Sequence, residues 1–178
     1  MLTLGVTSHA DGHTDFGVIA SISEGLAYRR DDDFRRITEI ACAESLQLIT
    51  LTITEKGYQL NGYDGSYQDA VVKDLGRDPE SDRMSTAMGL VTALLVQRFH
   101  AGATPVAVVS CDNFSHNGDM LRTSVLTIAA EWEKRGVIDH RVVEWIAEKV
   151  EFPISVIDKI TPAPSQKVAE QLAEMGLC

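Results

Sequence analysis

Positive charge is scarce in this chain: 16 lysines and arginines stand against 26 aspartates and glutamates, a formal net charge of −10 over 178 residues. An acidic surface repels a phosphate backbone or an anionic membrane at long range. Nucleic acid and lipid are thereby excluded as main partners, while a small uncharged substrate remains compatible. Cysteine is also sparse. Cys42, Cys111 and Cys178 lie far apart, with no C-x-x-C pair and no histidine at zinc-finger spacing, so neither a disulfide framework nor a metal site is expected. Nor does the chain contain the roughly 18 consecutive apolar residues of a membrane-spanning helix, and residues 1–8 lack the basic flank and apolar core of a secretion signal. The protein is therefore read as cytoplasmic. Its length and 44% hydrophobic content suit an ordinary globular core.

Apolar residues alternate over 2–6 and 16–22, and Asp11-Gly12 between them supplies a turn that tolerates positive φ, which reads as a β-hairpin. Asp31 to Asp33 are expected to cap a helix with Phe34, Ile37, Ile40 and Ala41 at helical spacing. Residues 46–53 are apolar and β-branched, the pattern of a strand buried on both faces. A long excursion follows over 54–79, with a short helix near Ala70. Ser81 or Asp82 is expected to cap the next helix, whose Met84, Met88, Val91, Leu95 and Phe99 share a broad face before Gly102. A second buried strand, 106–109, leads into a helix over 117–133, and 139–150 reads as another. Residues 152–160 are expected to be extended, and 165–175 a last amphipathic helix. Helices alternating with strands predict an open parallel α/β sheet, which binds ligands beyond the strand carboxyl ends.

One stretch stands out. Ser110-Cys111-Asp112-Asn113-Phe114-Ser115-His116-Asn117-Gly118 concentrates polar side chains between a buried strand and a helix. Such a turn can simply cap the helix, with Asp112, Asn113 or Asn117 bonding nearby backbone. It can also present an asparagine amide to a substrate oxygen on which negative charge develops. The stretch resembles the S-C-D-N-x-x-x-N-G motif of the mannitol dehydrogenase and fructuronate reductase family. Two further blocks resemble that family in the same order: Thr52 to Tyr58 its T-x-T-E-x-G-Y stretch, and Phe152 to Pro162 its F-P-N-S-x-V-D-R-I-x-P signature.

The resemblance implies a nicotinamide-dependent oxidoreductase that interconverts a sugar alcohol or aldonate with its keto form, using NAD or NADP. It implies that Asn113 polarises the substrate carbonyl, that Asp158 binds a substrate hydroxyl, and that Glu55, Tyr58 and Ser110 line the cofactor crevice. His116 reads as a helix-start or surface histidine rather than a base. Ile154, Ile157 and Lys159 depart from the signature's Asn, Val and Arg, and the lysine lacks the planar fork of arginine.

The resemblance also defines what to look for and not find. No glycine-rich turn stands between a strand and a helix to receive a pyrophosphate; Gly62 and Gly65, beside Tyr63 and Tyr67, read as turn residues. The family's K-x-x-x-x-N-x-x-H pattern, which carries its catalytic lysine, does not occur either, so neither Lys159 nor Lys167 inherits the role of proton acceptor. The expected architecture is an incomplete Rossmann-like sheet with an N-terminal hairpin, lacking the first βαβ unit and the helical C-terminal domain. Residues 1–150 form the partial dinucleotide-binding domain, and 151–178 the signature segment leading into the next. On this reading the chain is inactive alone and completed by another; the alternative is a noncatalytic carbohydrate-binding or structural subunit.

Overall fold

The computed structural model describes residues 3–8, 12, 14–19, 21–158, 170 and 173–176. The hairpin forms as expected: β1 (Thr3–Ser8) pairs antiparallel with β2 (Thr14–Ile19), and Gly12 takes a φ of 84° in the connection. Helix α1 (Asp31–Cys42) then carries its three aspartates in the first turn, where they face the positive end of the dipole. They do not cap it. Arg30 occupies the cap position without a side-chain bond, and Asp33 reaches back to accept the Ala27 N–H at 2.9 Å.

Strands β3 (Leu48–Leu51) and β4 (Ala107–Ser110) pair in parallel, from Leu48 opposite Ala107 to Leu51 opposite Ser110. The sheet bonding continues past residue 150, because Val108 N–H donates to Glu151 O at 2.8 Å and Glu151 N–H to Val106 O at 3.3 Å. Strand β4 is thus central. Strand β3 has a single strand neighbour among the described residues, and its alternating burial corrects the expectation of cover on both faces: Leu48 is half exposed and Thr50 exposed. Only its inner positions Ile49 and Leu51 pack against the core.

Between the strands run α2 (Asp69–Leu75) and α3 (Ala87–His100). The latter starts later than the sequence suggests, and its cap is Thr86, whose hydroxyl accepts the Gly89 N–H at 2.9 Å. The cause is Asp74, fully buried at the end of α2. Its carboxylate accepts the Ser85 and Thr86 N–H groups at 2.6 and 2.8 Å, which holds 84–86 in a non-helical approach. Helices α4 (Asn117–Lys134) and α5 (His140–Lys149) follow, the second capped by Asp139 on Arg141 N–H at 2.8 Å. Trp132, Leu95, Leu121, Ile128, Ile146 and Val108 form the centre of the core. Residues 152–158 carry no regular structure, and most of the helix expected over 165–175 lies outside the described residues. No helix among the described residues is long and apolar enough to cross a membrane.

Arg98 ties these layers together. Its fully buried guanidinium donates to Ala41 O (2.5 Å), Ala43 O (2.9 Å), Leu46 O (2.9 Å) and Thr104 O (2.7 Å), so that one planar fork gathers the end of α1, the approach to β3 and the approach to β4. Removing it strands several buried carbonyls, each costing about 1–3 kcal/mol. Arg98→Met is predicted to lower the unfolding free energy by roughly 3 kcal/mol or more in denaturant titration. A loss below about 1 kcal/mol, the scale of an ordinary surface substitution, would contradict this role.

Candidate functional site

At the carboxyl end of the β3–β4 pair, backbone pairing gives way to side-chain bonding. The last ladder bond runs from Cys111 N–H to Leu51 O at 2.7 Å. One residue on, the Asp112 carboxylate takes the place of backbone acceptors. It receives the Ile53 and Thr54 N–H groups, each at 2.9 Å, and the Tyr58 hydroxyl at 2.6 Å. Burial raises the Asp112 pKa, but Tyr58 and the two amides together hold it below the usual carboxylate range.

This clamp carries strain. Thr54 sits at φ 65°, ψ 157°, a region a β-branched residue enters at a cost of order 1–3 kcal/mol. Hydrogen bonds to a charged acceptor contribute about 1.5–3 kcal/mol each, so two or three of them outweigh it. Beyond Thr54 the chain makes the 3₁₀ turn Glu55–Tyr58, which returns Tyr58 to the carboxylate.

Tyr58 and Ser110, which the resemblance sets along a cofactor crevice, have their side chains engaged within the protein. Both are fully buried, and their hydroxyls bond each other at 2.8 Å. Burial and the Asp112 carboxylate push the Tyr58 phenol up to about 12, so it stays a neutral donor. Its ring packs against Phe114 at 5.2 Å. The pair braces the Asp112 carboxylate from within the core.

Asn117 makes a second clamp. Fully buried, it donates through Nδ2 to Asp112 O (3.1 Å), Ser155 O (3.0 Å) and Ser155 Oγ (3.0 Å), and accepts Ser155 N–H through Oδ1 at 3.0 Å. Ser155 in turn donates its hydroxyl to Ser110 O. Gly118 lets the same segment lie close, since a Cβ there would meet Phe152 O at 2.6 Å and Pro153 O at 2.5 Å. None of Asp112, Asn113 and Asn117 is the residue at the cap of α4. That position belongs to His116, left-handed at φ 57°, exposed, and bonded through Nδ1 to Asp119 at 3.0 Å.

Asn113 is the exception in this network. It is exposed and makes no side-chain hydrogen bond among the described residues, although it stands between two buried clamps. Glu55 is likewise exposed. Each is one residue removed from the Thr54–Asp112 bond, which keeps the pair well within the roughly 20 Å span of one ligand-sized crevice. Asp158 is exposed three residues beyond the clamped Ser155. Sequence reasoning missed the clamping roles of Asp112 and Asn117. Their signal was the placement of polar groups with several bonding sites directly after a buried strand, with a glycine immediately following the second.

The arrangement offers an exposed amide and exposed carboxylates beyond the carboxyl ends of parallel strands, the place where open α/β sheets receive ligands. No group of three or more metal-ligating side chains occurs among the described residues.

Residues 2–175 match the mannitol dehydrogenase Rossmann domain. A D-mannonate oxidoreductase of Thermotoga maritima is 41% identical over 99% of this chain and 32% of its own length. A mannitol 2-dehydrogenase of Phaeosphaeria nodorum is 32% identical over 90% of this chain and 27% of its own. The solved Pseudomonas fluorescens mannitol 2-dehydrogenase, in ternary complex with NAD and D-mannitol, superposes with a TM-score of 0.70 at 30% identity, over 98% of this chain and 34% of that one. The chain thus spans about a third of the length of these relatives.

The contact at Gly118 generates a test of the second clamp. Gly118→Ala forces backbone apart at Phe152 and Pro153, because the obstructing atoms are carbonyl oxygens rather than flexible side-chain ends. Thermal unfolding is predicted to show a loss of about 1–3 kcal/mol, and amide exchange at Ser155 should accelerate. Wild-type stability together with a protected Ser155 amide would show that the segment is held by other contacts.

Proposed function

The chain belongs to the mannitol dehydrogenase family, and from that premise we propose that it contributes the substrate side of a nicotinamide-dependent crevice in which a sugar alcohol or an aldonate is interconverted with its keto form. The observation that carries this reading is Asn113. Ser110, Asp112 and Asn117 of the same motif are bonded internally, whereas this one exposed amide at the carboxyl end of the sheet makes no side-chain bond among the described residues.

A bound NAD or NADP supplies or accepts the hydride. Asn113 donates Nδ2–H to the carbonyl oxygen as it gains negative charge, and being neutral it does so over the whole working pH range. Asp158 accepts bonds from polyol hydroxyls and discriminates against analogues that lack them. Glu55 lines the same crevice, while Tyr58 and Ser110 act from behind it through Asp112. The proton acceptor is assigned to a further domain or a complementing chain, since His116 is a surface residue paired with Asp119. We place this chemistry in the cytoplasm, and read 151–178 as the passage into that further domain.

Grafting residues 2–175 into the frame of the Thermotoga maritima D-mannonate oxidoreductase gives the test, because the match between the two covers 99% of this chain. Asn113→Ala in the graft should lower kcat roughly a hundredfold, the scale of a lost oxyanion donor. Asp158→Ala should raise KM more than it lowers kcat. If both variants fold and keep wild-type kinetics, the roles assigned to Asn113 and Asp158 are wrong; a folded graft with no turnover at all would favour a noncatalytic subunit.

A further inference from the structure

The motif poses a question that its exposed asparagine does not answer: why a buried carboxylate should hold a threonine in a backbone region suited to glycine. Asp112 accepts from two successive amides, Ile53 and Thr54, and from the Tyr58 hydroxyl three residues beyond Glu55. Successive amides turned toward one anion form a compact cradle. Here the anion is a side chain of the neighbouring strand's own continuation. Glu55, exposed, is thus enclosed between two points fixed to the same carboxylate, Thr54 on one side and Tyr58 on the other. Asn113 follows that carboxylate directly in the chain. The two exposed polar residues are held relative to each other by a single buried group.

We infer that Asp112 is a positioning residue: through the positive-φ conformation it holds at Thr54, it fixes Glu55 in the crevice beside Asn113. Its bearing on hydride transfer rests on the function proposed above, whereas its bearing on geometry does not. A residue that served only to stabilise the fold would have no reason to hold Thr54 at φ 65°, because glycine adopts that conformation without strain. Threonine has a consequence that glycine lacks. In the clamped state its backbone has few alternatives, so the direction of Glu55 is set; glycine would relieve the strain and free that direction.

The wild-type 178-residue chain and two variants decide the point. In the wild type, Thr54 should give the strong intraresidue amide-to-α-proton NOE of a positive φ, with slow exchange at the Ile53 and Thr54 amides. Asp112→Asn should abolish that NOE and speed exchange at both amides roughly tenfold to a hundredfold, the scale of a lost charge-assisted bond. Thr54→Gly should raise Tm. A folded Asp112→Asn chain that keeps the Thr54 NOE overturns the inference. If Asp112→Asn does not fold, Thr54→Gly still decides, because a lowered Tm would mean that Thr54 is unstrained and that Asp112 holds nothing against it.

The kinetic arm uses the graft into the mannonate oxidoreductase frame. Thr54→Gly, although more stable, should lose roughly tenfold to a hundredfold in kcat, as for a small misplacement of a reacting group. Unchanged kcat would overturn the positioning role and leave a purely structural one. A graft whose wild-type form turns over no polyol or aldonate would instead count against the proposed function, and the NOE and exchange measurements would still decide for or against Asp112.

Discussion

A carboxylate that takes over where backbone pairing stops is the constraint on which the loops beyond the sheet depend. Parallel strands cannot be joined by a tight turn, so their carboxyl ends diverge into separate loops. Left alone, the loops after Leu51 and Ser110 would have unpaired amides and no fixed relation. Asp112 removes both problems at once. It supplies the acceptors that the ladder no longer supplies, and its low pKa keeps it charged, so the bonds it makes are of the stronger, charge-assisted kind. Burial alone would have favoured the neutral acid. The three donors reverse that preference, and the strain at Thr54 can persist because they do.

Asn117 solves a related problem on the opposite side of the same turn. The segment after Glu151 has no helix or ladder of its own, yet it must run past the start of α4 to carry Asp158. A buried side-chain amide has donors and an acceptor, and it mimics a strand partner by bonding both the N–H and the C=O of Ser155. Gly118 removes the Cβ that would block the approach. Nine residues from Ser110 to Gly118 therefore organise three stretches that are remote in sequence. Asn113 stands between the two clamps, exposed and without a side-chain bond among the described residues.

The parts of this structure legible in the sequence are those governed by period and turn chemistry. The hairpin around Gly12, helix α1 with its inward apolar stripe, and α5 behind Asp139 all follow from local pattern. What local pattern could not convey was which polar groups face inward. Apolar residues over 46–53 read as a strand covered on both faces, but coverage depends on what packs against each face, and the outward positions Leu48 and Thr50 of β3 are exposed. The start of α3 was misplaced because a carboxylate eleven residues before Ser85 captures the amides there, a contact across the chain that no helical period encodes. The bonds of Tyr58 and Ser110 are hidden from the sequence for a similar reason: their hydroxyls meet each other, and Tyr58 meets Asp112, only through the fold. The two-state choice for the motif, cap or ligand group, proved too narrow, since its residues tie loops to each other while His116 occupies the cap.

The most direct measurement is a structure of the grafted enzyme with nicotinamide cofactor and a polyol or keto-sugar bound. The account predicts that Asn113 Nδ2 lies within about 3.2 Å of the oxygen at the reacting carbon, with the bonds from Asp112 to Ile53 and Thr54 and from Asn117 to Ser155 intact. A substrate oxygen held instead by Asp112 or Asn117, with either clamp opened, would contradict it.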